Sequence, residues 1–361
     1  MRLLVIGAST HPVCGLRDHT AAIVPGLRAA GASVEVCWWD RDRAAPLGAW
    51  LAGIRTAATA GDAILWQYSP FPYGQRGLPT AIPAVLRTLR RTGLPLVPLL
   101  HEYAHPVLGH GWRGAAHGVT QHAALWPILQ ASRGVLLTTP ERAAWIETQR
   151  WLPGRPSGLV PMTSNVPVAE ALAGATDAPS RPLTIGIFGF RTGGLVPALV
   201  TEAIALAAPA AQLLLIGAPG PAAAEAATWR AAAAAAGVTL AFTGVLPPPE
   251  LSQVLAGLDL ALFASLTGPS PRRGTIAALL AHGRPVVAVD GPHTWQALVA
   301  EEAVVLGGRT SSELAAALGS LAANPELRRH HGKRARAFYE RHLSPAATAQ
   351  TILDFVNRVA T

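Results

Sequence analysis

Charge is scarce in this chain, and lysine scarcer still. Only 14% of the 361 residues are charged, and Lys333 is the single lysine, so arginine carries the formal net charge of +8. Half of the residues are apolar, which excludes a disordered chain. The arginine bias and the many alanines fit a GC-rich coding sequence, and the basic excess fits an anionic partner equally well. No block of basic residues interleaved with aromatics is present, which argues against nucleic acid. Cys14 and Cys37 are the only cysteines; they are too few for a disulfide framework and lack metal-ligand spacing, so a reducing compartment fits. No run of about 18 apolar residues suggests a membrane span, and no repeat of roughly 20–50 residues suggests a solenoid. The opening MRLLVIGAST ends its short apolar run at Gly7 without a cleavage site, so it reads as a strand and not as a signal peptide.

What is present is a regular alternation. In the second half, short apolar runs occur at 183–188, 212–216, 238–242, 258–263, 285–289 and 303–306, separated by alanine- and leucine-rich segments. Continuous apolar strands alternating with helices predict a parallel sheet in an α/β layer fold. The first half shows the same pattern less cleanly, with strands expected at 3–7, 33–38, 63–67, 94–100 and 134–139. A Pro/Gly/Ala-rich stretch at 165–182 separates the halves, and the tail is expected to form two helices parted near Ser344–Pro345. The expected domains are 1–170 and 182–340, with a terminal helix over 341–361. Ligands of such sheets sit at the carboxyl ends of the strands.

Several motifs fall at those ends. GPSPRRGTIAALLAHGRPVV (268–287) predicts a helix capped by Ser270, with Pro271 at its first position and Gly283 as its stop. Arg272 and Arg273 would then stand in the first turn, where a cation opposes the helix dipole unless an anion offsets it. The backbone N–H groups there, the Ser270 and Thr275 hydroxyls and the two guanidiniums would cradle a phosphate; solvation or an acidic neighbour is the other explanation. Gly268 and Gly274 belong to the same loop. GIFGFRTGG (186–194) offers Gly189 for close backbone approach and Arg191 as a further cation, without the spacing of a dinucleotide site. HPVCGLRDHT (11–20) offers Gly15, with Asp18 or His19 either capping a helix or meeting a substrate hydroxyl. HEYAHPVLGH (101–110) contains H-E-x-x-H, but Pro106 disfavours a helical His105 and residue 111 is glycine, so zinc is not expected. His101, at the end of a strand and next to Glu102, suits a general base or a ligand for a sugar hydroxyl, with a structural histidine as the alternative.

These stretches resemble glycosyltransferases of the GT-B fold, specifically the retaining enzymes of family 4. The resemblance rests on GLRDHT (15–20), ILWQYSPFPYGQRGLP (64–79), LLHEYA (99–104) and, most specifically, FTGVLPPPELSQVLAGLDLALFASLTGPSPRRGTIAALLAHGRPVVA (242–288). It implies two Rossmann-like doubly wound domains facing across a cleft, a nucleoside-diphosphate sugar such as a UDP- or GDP-sugar as donor, and neither cofactor nor metal. It further implies an acceptor on the N-terminal domain, retention of anomeric configuration, and terminal helices that cross back to that domain. By the same resemblance Arg191 contacts diphosphate, the backbone of Gly244, Val245 and Leu246 receives the base, His101 lies near the transferred sugar, and Gly15 lies over the diphosphate. Where relatives carry two glutamates eight positions apart, this chain has Ser270 and Ala278, and the family's diphosphate lysine is absent; Arg272 and Arg273 would supply that charge.

The expectation is therefore a cytoplasmic, metal-independent hexosyltransferase of a bacterial glycan, glycolipid or secondary-metabolite pathway, with Arg191, Arg272 and Arg273 on the diphosphate, His101 at the sugar, and Asp18, His19 and Glu102 toward the acceptor. The alternative is a catalytically silent GT-B subunit bound to a partner glycosyltransferase. A sugar-nucleotide epimerase has only Glu102 in its favour. Trp38, Trp39 and Trp50, with Arg87, Arg90 and Arg91, would allow peripheral contact with anionic lipid at the inner membrane face; buried tryptophans and solvated arginines are the ordinary and favoured alternative.

Overall fold

The computed structural model describes residues 1–11, 14–75, 78–104, 111–168, 181–190 and 194–360. The chain forms two compact units, Met1–Thr163 with Pro345–Thr361, and Ser164–Ser344. In the first unit, strands β1 (Arg2–Ser9), β2 (Ser33–Asp40), β3 (Ala63–Tyr68), β4 (Leu96–Leu100), β5 (Val135–Leu137) and β6 (Ser157–Leu159) alternate with helices α1 (Gly15–Ala29), α2 (Leu47–Ala58), α3 (Ile82–Thr92), α4 (Gly111–Ala131) and α5 (Pro140–Thr148). All pairings are parallel, in the order β2-β1-β3-β4-β5-β6. β3 and β4 are buried at every position, as continuous apolar runs demand when helices cover both sheet faces.

One face packs α2, α3, α4 and α5 over Ile64, Trp66, Leu96 and Leu100. Trp39 and Trp50 belong to this core, their indole N–H groups donating to Ala45 O and Cys37 O, while half-buried Trp38 donates to Ser9 Oγ. Of the two readings of these residues, burial holds for Trp39 and Trp50, while Arg87, Arg90 and Arg91 of α3 are exposed. The opposite face is covered by α1 and by the last helix, α13 (Pro345–Ala360), which enclose Leu65, Val97 and Leu99. Close passage explains Gly26, where a Cβ would stand 2.6 Å from the Pro345 carbonyl oxygen. β6 has no counterpart in the strand pattern read from sequence. Its three half-buried residues include Gly158, whose position is set by the α13 side chain Phe355, 2.8 Å from where a Cβ would be.

The second unit runs β7 (Thr184–Phe188), α6 (Pro197–Ala207), β8 (Gln212–Ile216), α7 (Ala224–Ala236), β9 (Thr239–Gly244), α8 (Pro248–Ala256), β10 (Leu260–Phe263), α9 (Gly274–Ala281), β11 (Val286–Val289), α10 (Gln296–Ala300), β12 (Val305–Gly307), α11 (Ser311–Ala323) and α12 (Pro325–Phe338). Its parallel sheet has the order β9-β8-β7-β10-β11-β12, which is the Rossmann order 3-2-1-4-5-6 and reverses direction between β7 and β10. The first sheet reverses instead between β1 and β3. A π-helical turn, Tyr339–Leu343, leads out of α12 before α13 returns to the first unit. No helix among the described residues is long and apolar enough to cross a membrane.

Candidate functional site

The reversal point of the second sheet brings together the loops after β7 and β10. Leu266 N donates to Gly194 O at 3.0 Å, and a Cβ added at Gly189 (φ +74°) would lie 3.1 Å from Thr275 Cγ2. Two stretches 70 or more residues apart in sequence are thereby one surface. The neighbouring strand ends join it: Gly189 N donates to Ile216 O, and Gly217 N to Gly244 O. Gly244 (φ +69°) turns the chain so that Val245 stands exposed and Leu246 half-buried.

Gly268 is the tightest point. Its φ is +83°, and a Cβ would fall 2.3 Å from Thr294 Oγ1 and 2.8 Å from Thr294 N. His293 N donates to Thr267 O and Trp295 N to Pro269 O, so the loop after β11 is laced to the loop carrying the arginines.

That loop differs from the sequence expectation. α9 begins at Gly274 with Arg273 as its N-cap, and no side chain caps it. Ser270 is buried and sits one turn earlier, its hydroxyl 3.5 Å from Arg272 N and its carbonyl accepting from Arg273 N. Arg272 and Arg273 therefore precede the helix and do not stand in its first turn; two prolines, Pro269 and Pro271, favour the extended turn over an earlier helical start. The C-terminal stop at Gly283 (φ +61°) is as expected. Ser270 and Ala278, the positions where the resemblance would place glutamates, are both buried.

The electrostatics sharpen the question the sequence posed. Arg272 is exposed and Arg273 half-buried, and neither makes an ion pair among the described residues. Burial, with the Arg272 charge beside it, holds the Arg273 guanidinium below its ordinary range. The Gly274 and Thr275 N–H groups at the start of α9 have no intrahelical acceptor. Two cations and a helix N-terminus converge on one place, which an anion would satisfy. Arg191 lies outside the described residues.

In the first unit the polar residues gather beneath α1. His101 follows β4, and its Nε2 stands 2.6 Å from Gln67 Oε1 at the end of β3. The His19 ring meets it edge-on at 5.1 Å. All three are buried, and both His19 ring nitrogens and Gln67 Nε2 have no hydrogen-bond partner among the described residues. Burial lowers the His19 pKa to about 4, and burial, His19 and Arg142 together hold His101 well below the usual imidazole range. Both rings are neutral near pH 7, so His101 is a hydrogen-bonding group and not a cation. A proton on Nε2, donated to Gln67 Oε1, leaves Nδ1 unprotonated.

Arg142 from α5 supports the His101 backbone, donating to its carbonyl and to Thr138 Oγ1, and lies 5.7 Å above the Tyr103 ring. Glu102 is half-buried beside it. His19 and Asp18 do not cap α1, as the capping alternative required; Cys14 is the N-cap, half-buried Asp18 lies in the first turn, and Gly15 is exposed at the start of the helix. His105 lies outside the described residues, and no group of three or more metal-ligating side chains occurs among those described. Gln67 and Arg142 escaped sequence reading. Gln67 left one trace, a polar residue closing the apolar strand AILWQ; Arg142 left none, because only the fold brings this α5 side chain to the residue after β4.

A family model, the glycosyl transferases group 1, matches residues 195–324, the segment that holds α6 to α11 and both arginines. No match was found among curated protein sequences. Solved structures similar over the whole chain include sucrose-phosphate synthase from Thermosynechococcus elongatus, with 18% identity, a TM-score of 0.67 and 99% of each chain covered. Anabaena HepE in complex with UDP has 14% identity and a TM-score of 0.67, covering 99% of this chain and 100% of that one. A glycosyltransferase from Rickettsia africae has 11% identity and a TM-score of 0.74, covering 99% and 98%. These likenesses establish the fold, two Rossmann-like α/β units of the GT-B type.

Proposed function

We propose that this protein is a glycosyltransferase that takes a nucleoside-diphosphate sugar and moves a hexose-like unit to an acceptor hydroxyl, without a metal ion and with retention of anomeric configuration. One observation carries the reading: two guanidiniums without an ion pair among the described residues, a helix start and several positive-φ glycines meet at the reversal point of a Rossmann-ordered sheet, and both arginines lie inside the segment that matches a glycosyltransferase family. When the bond from sugar to diphosphate breaks, negative charge grows on the leaving oxygen. Preoriented cations and N–H groups stabilise that charge more than the ground state, which is what accelerates the step. Arg272 and Arg273 supply from the chain the charge that a divalent ion supplies elsewhere, with Arg191 and the Thr275 hydroxyl as further donors. The Gly244–Leu246 backbone receives the base; HepE, with the same fold, is described with UDP and with UDP-glucose.

On the acceptor side, His101, oriented by Gln67, offers a neutral nitrogen to a sugar or acceptor hydroxyl, with Glu102, Asp18 and His19 nearby in sequence or at the same sheet edge and Gly15 toward the diphosphate. The acceptor is assigned to a bacterial glycan, glycolipid or secondary-metabolite pathway, and the site of action to the cytoplasm. The test is calorimetric titration of UDP and GDP into the wild type and Arg272→Ala/Arg273→Ala. Losing two charge-assisted hydrogen bonds weakens the preferred nucleotide on the order of 100-fold or more. Equal affinity in the double variant overturns the cradle; no nucleotide binding by the wild type turns the reading toward a silent subunit.

A further inference from the structure

The first unit has a second concentration of charge, at the sheet edge opposite the candidate site. A cavity of about 600 Å³ opens beside the starts of β4, β5 and β6, lined among others by Arg90, Arg133, Arg155 and Arg358, and by no carboxylate among the described residues. At this edge the C-termini of α3, α4 and α13 converge, and the last carbonyls of a helix carry partial negative charge.

Helix C-termini attract cations, so part of the arginine charge has an ordinary explanation. Arg155 donates from Nε to Leu129 O and from Nη2 to Gln130 O, closing the end of α4. Arg90 Nη2 reaches Gln130 Oε1 at 3.4 Å. The magnitudes leave an excess. Three helix ends contribute roughly −0.5 charge each, about −1.5 in all, against the full charges of Arg90, Arg133 and Arg155 even with Arg358 left aside. Arg133 is exposed, and its guanidinium bonds to nothing among the described residues. Arg155 is fixed by two carbonyls yet keeps Nη1 uncommitted, which makes it a preorganised fork. A groove of about 490 Å³ between α3 and α4 continues from Arg90 to Arg87 and Arg91. The edge that should be negative is positive, and the cavity has the volume of a small-ligand site.

We propose that this cavity binds a phosphate group, carried either by a soluble phosphate ester or by a lipid headgroup, independently of the nucleotide cradle in the second unit. The probe is inorganic pyrophosphate, titrated calorimetrically into the full chain carrying Arg272→Ala/Arg273→Ala, so that the nucleotide cradle is weakened and a second pair of substitutions reports on this cavity. The same titration is repeated after adding Arg133→Gln/Arg155→Gln, and the Gln pair alone is checked for unchanged UDP affinity as a control for folding. Sedimentation with phosphatidylglycerol vesicles, against phosphatidylcholine vesicles, forms the second arm. The expected result is binding that survives the alanine pair and falls at least about 10-fold with the glutamine pair. If pyrophosphate shows it, the source is soluble; if only phosphatidylglycerol vesicles do, the source is a headgroup. Absence of binding in both arms, or binding that the glutamine pair leaves unchanged, overturns the proposal. Loss of UDP binding in Arg272→Ala/Arg273→Ala bears on the function alone, so the two readings fail separately.

Discussion

At the carboxyl edge of the first sheet, Gln67, His101 and His19 form a buried, neutral group beneath α1; at the same edge of the second sheet, Arg272 and Arg273 stand on a turn shaped by glycines, without an ion pair among the described residues. Both sheets are parallel, six-stranded and flanked by helices. The strand order moves the reversal from β1/β3 in one to β7/β10 in the other, and the loops at that point differ in kind. The first unit buries polar atoms without partners among the described residues, which costs stability and suits orienting neutral hydroxyls. The second exposes charge on backbone that only glycine tolerates, which suits holding an anion. An α/β layer supplies an edge; its loops decide the sign of what binds there.

The comparison can be broken from either side. The largest effect on stability is expected in the second unit from Gly268→Ala. The residue would need a positive φ and would overlap Thr294 Oγ1, costing roughly 3–4 kcal/mol in strain and overpacking. Peptide-resolved hydrogen exchange should then show faster exchange across the 264–273 and 290–295 loops with β3 and β4 unaffected. Equal exchange in wild type and variant would sink the claim that this contact holds the cradle.

The first unit should respond instead to acid. An unfolded chain protonates His19 near its ordinary pKa of 6.5, whereas the buried ring waits until about 4. Between those values the unfolded state holds more protons, so stability is full above the upper one and is lost as the pH falls through the window, by up to about 3 kcal/mol from His19. His19→Leu should flatten this acid limb in urea titrations from pH 7 to 4. An unchanged slope would remove His19 as its source.

The smallest of these effects concerns orientation. Gln67→Leu takes away the acceptor that holds the His101 proton on Nε2, and turnover should fall about 10-fold, the worth of one hydrogen bond. Nucleotide affinity, set in the other unit, should stay the same. Nitrogen NMR should show His101 as a tautomer mixture in the variant; retention of a single tautomer would show that Gln67 does not fix it.

Much of this molecule was legible in one dimension. The apolar runs QLLLI and AILWQ are β8 and most of β3, and the glycine stop of α9 was readable at Gly283, because periodicity and backbone permissiveness are local properties. Ser270 looked like a helix cap and proved to brace a turn, since capping depends on where neighbouring loops pull the chain. Trp39 and Trp50 could be read as core or as membrane-facing and are core, since an indole shows nothing in sequence of what covers it.

By itself, then, the sequence determined the α/β class, the parallel strands of both halves and the presence of two adjacent cations that call for an anion. Only the tertiary structure decided that Gly189 lies against Thr275, that Gln67 pins His101 while His19 is kept neutral by burial, and that Arg90, Arg133 and Arg155 converge on the far edge of the first sheet. The physical reason is common to all three. Strand and helix follow from neighbours a few residues apart, whereas burial, pairing and summed charge depend on residues that meet only when the sheets form.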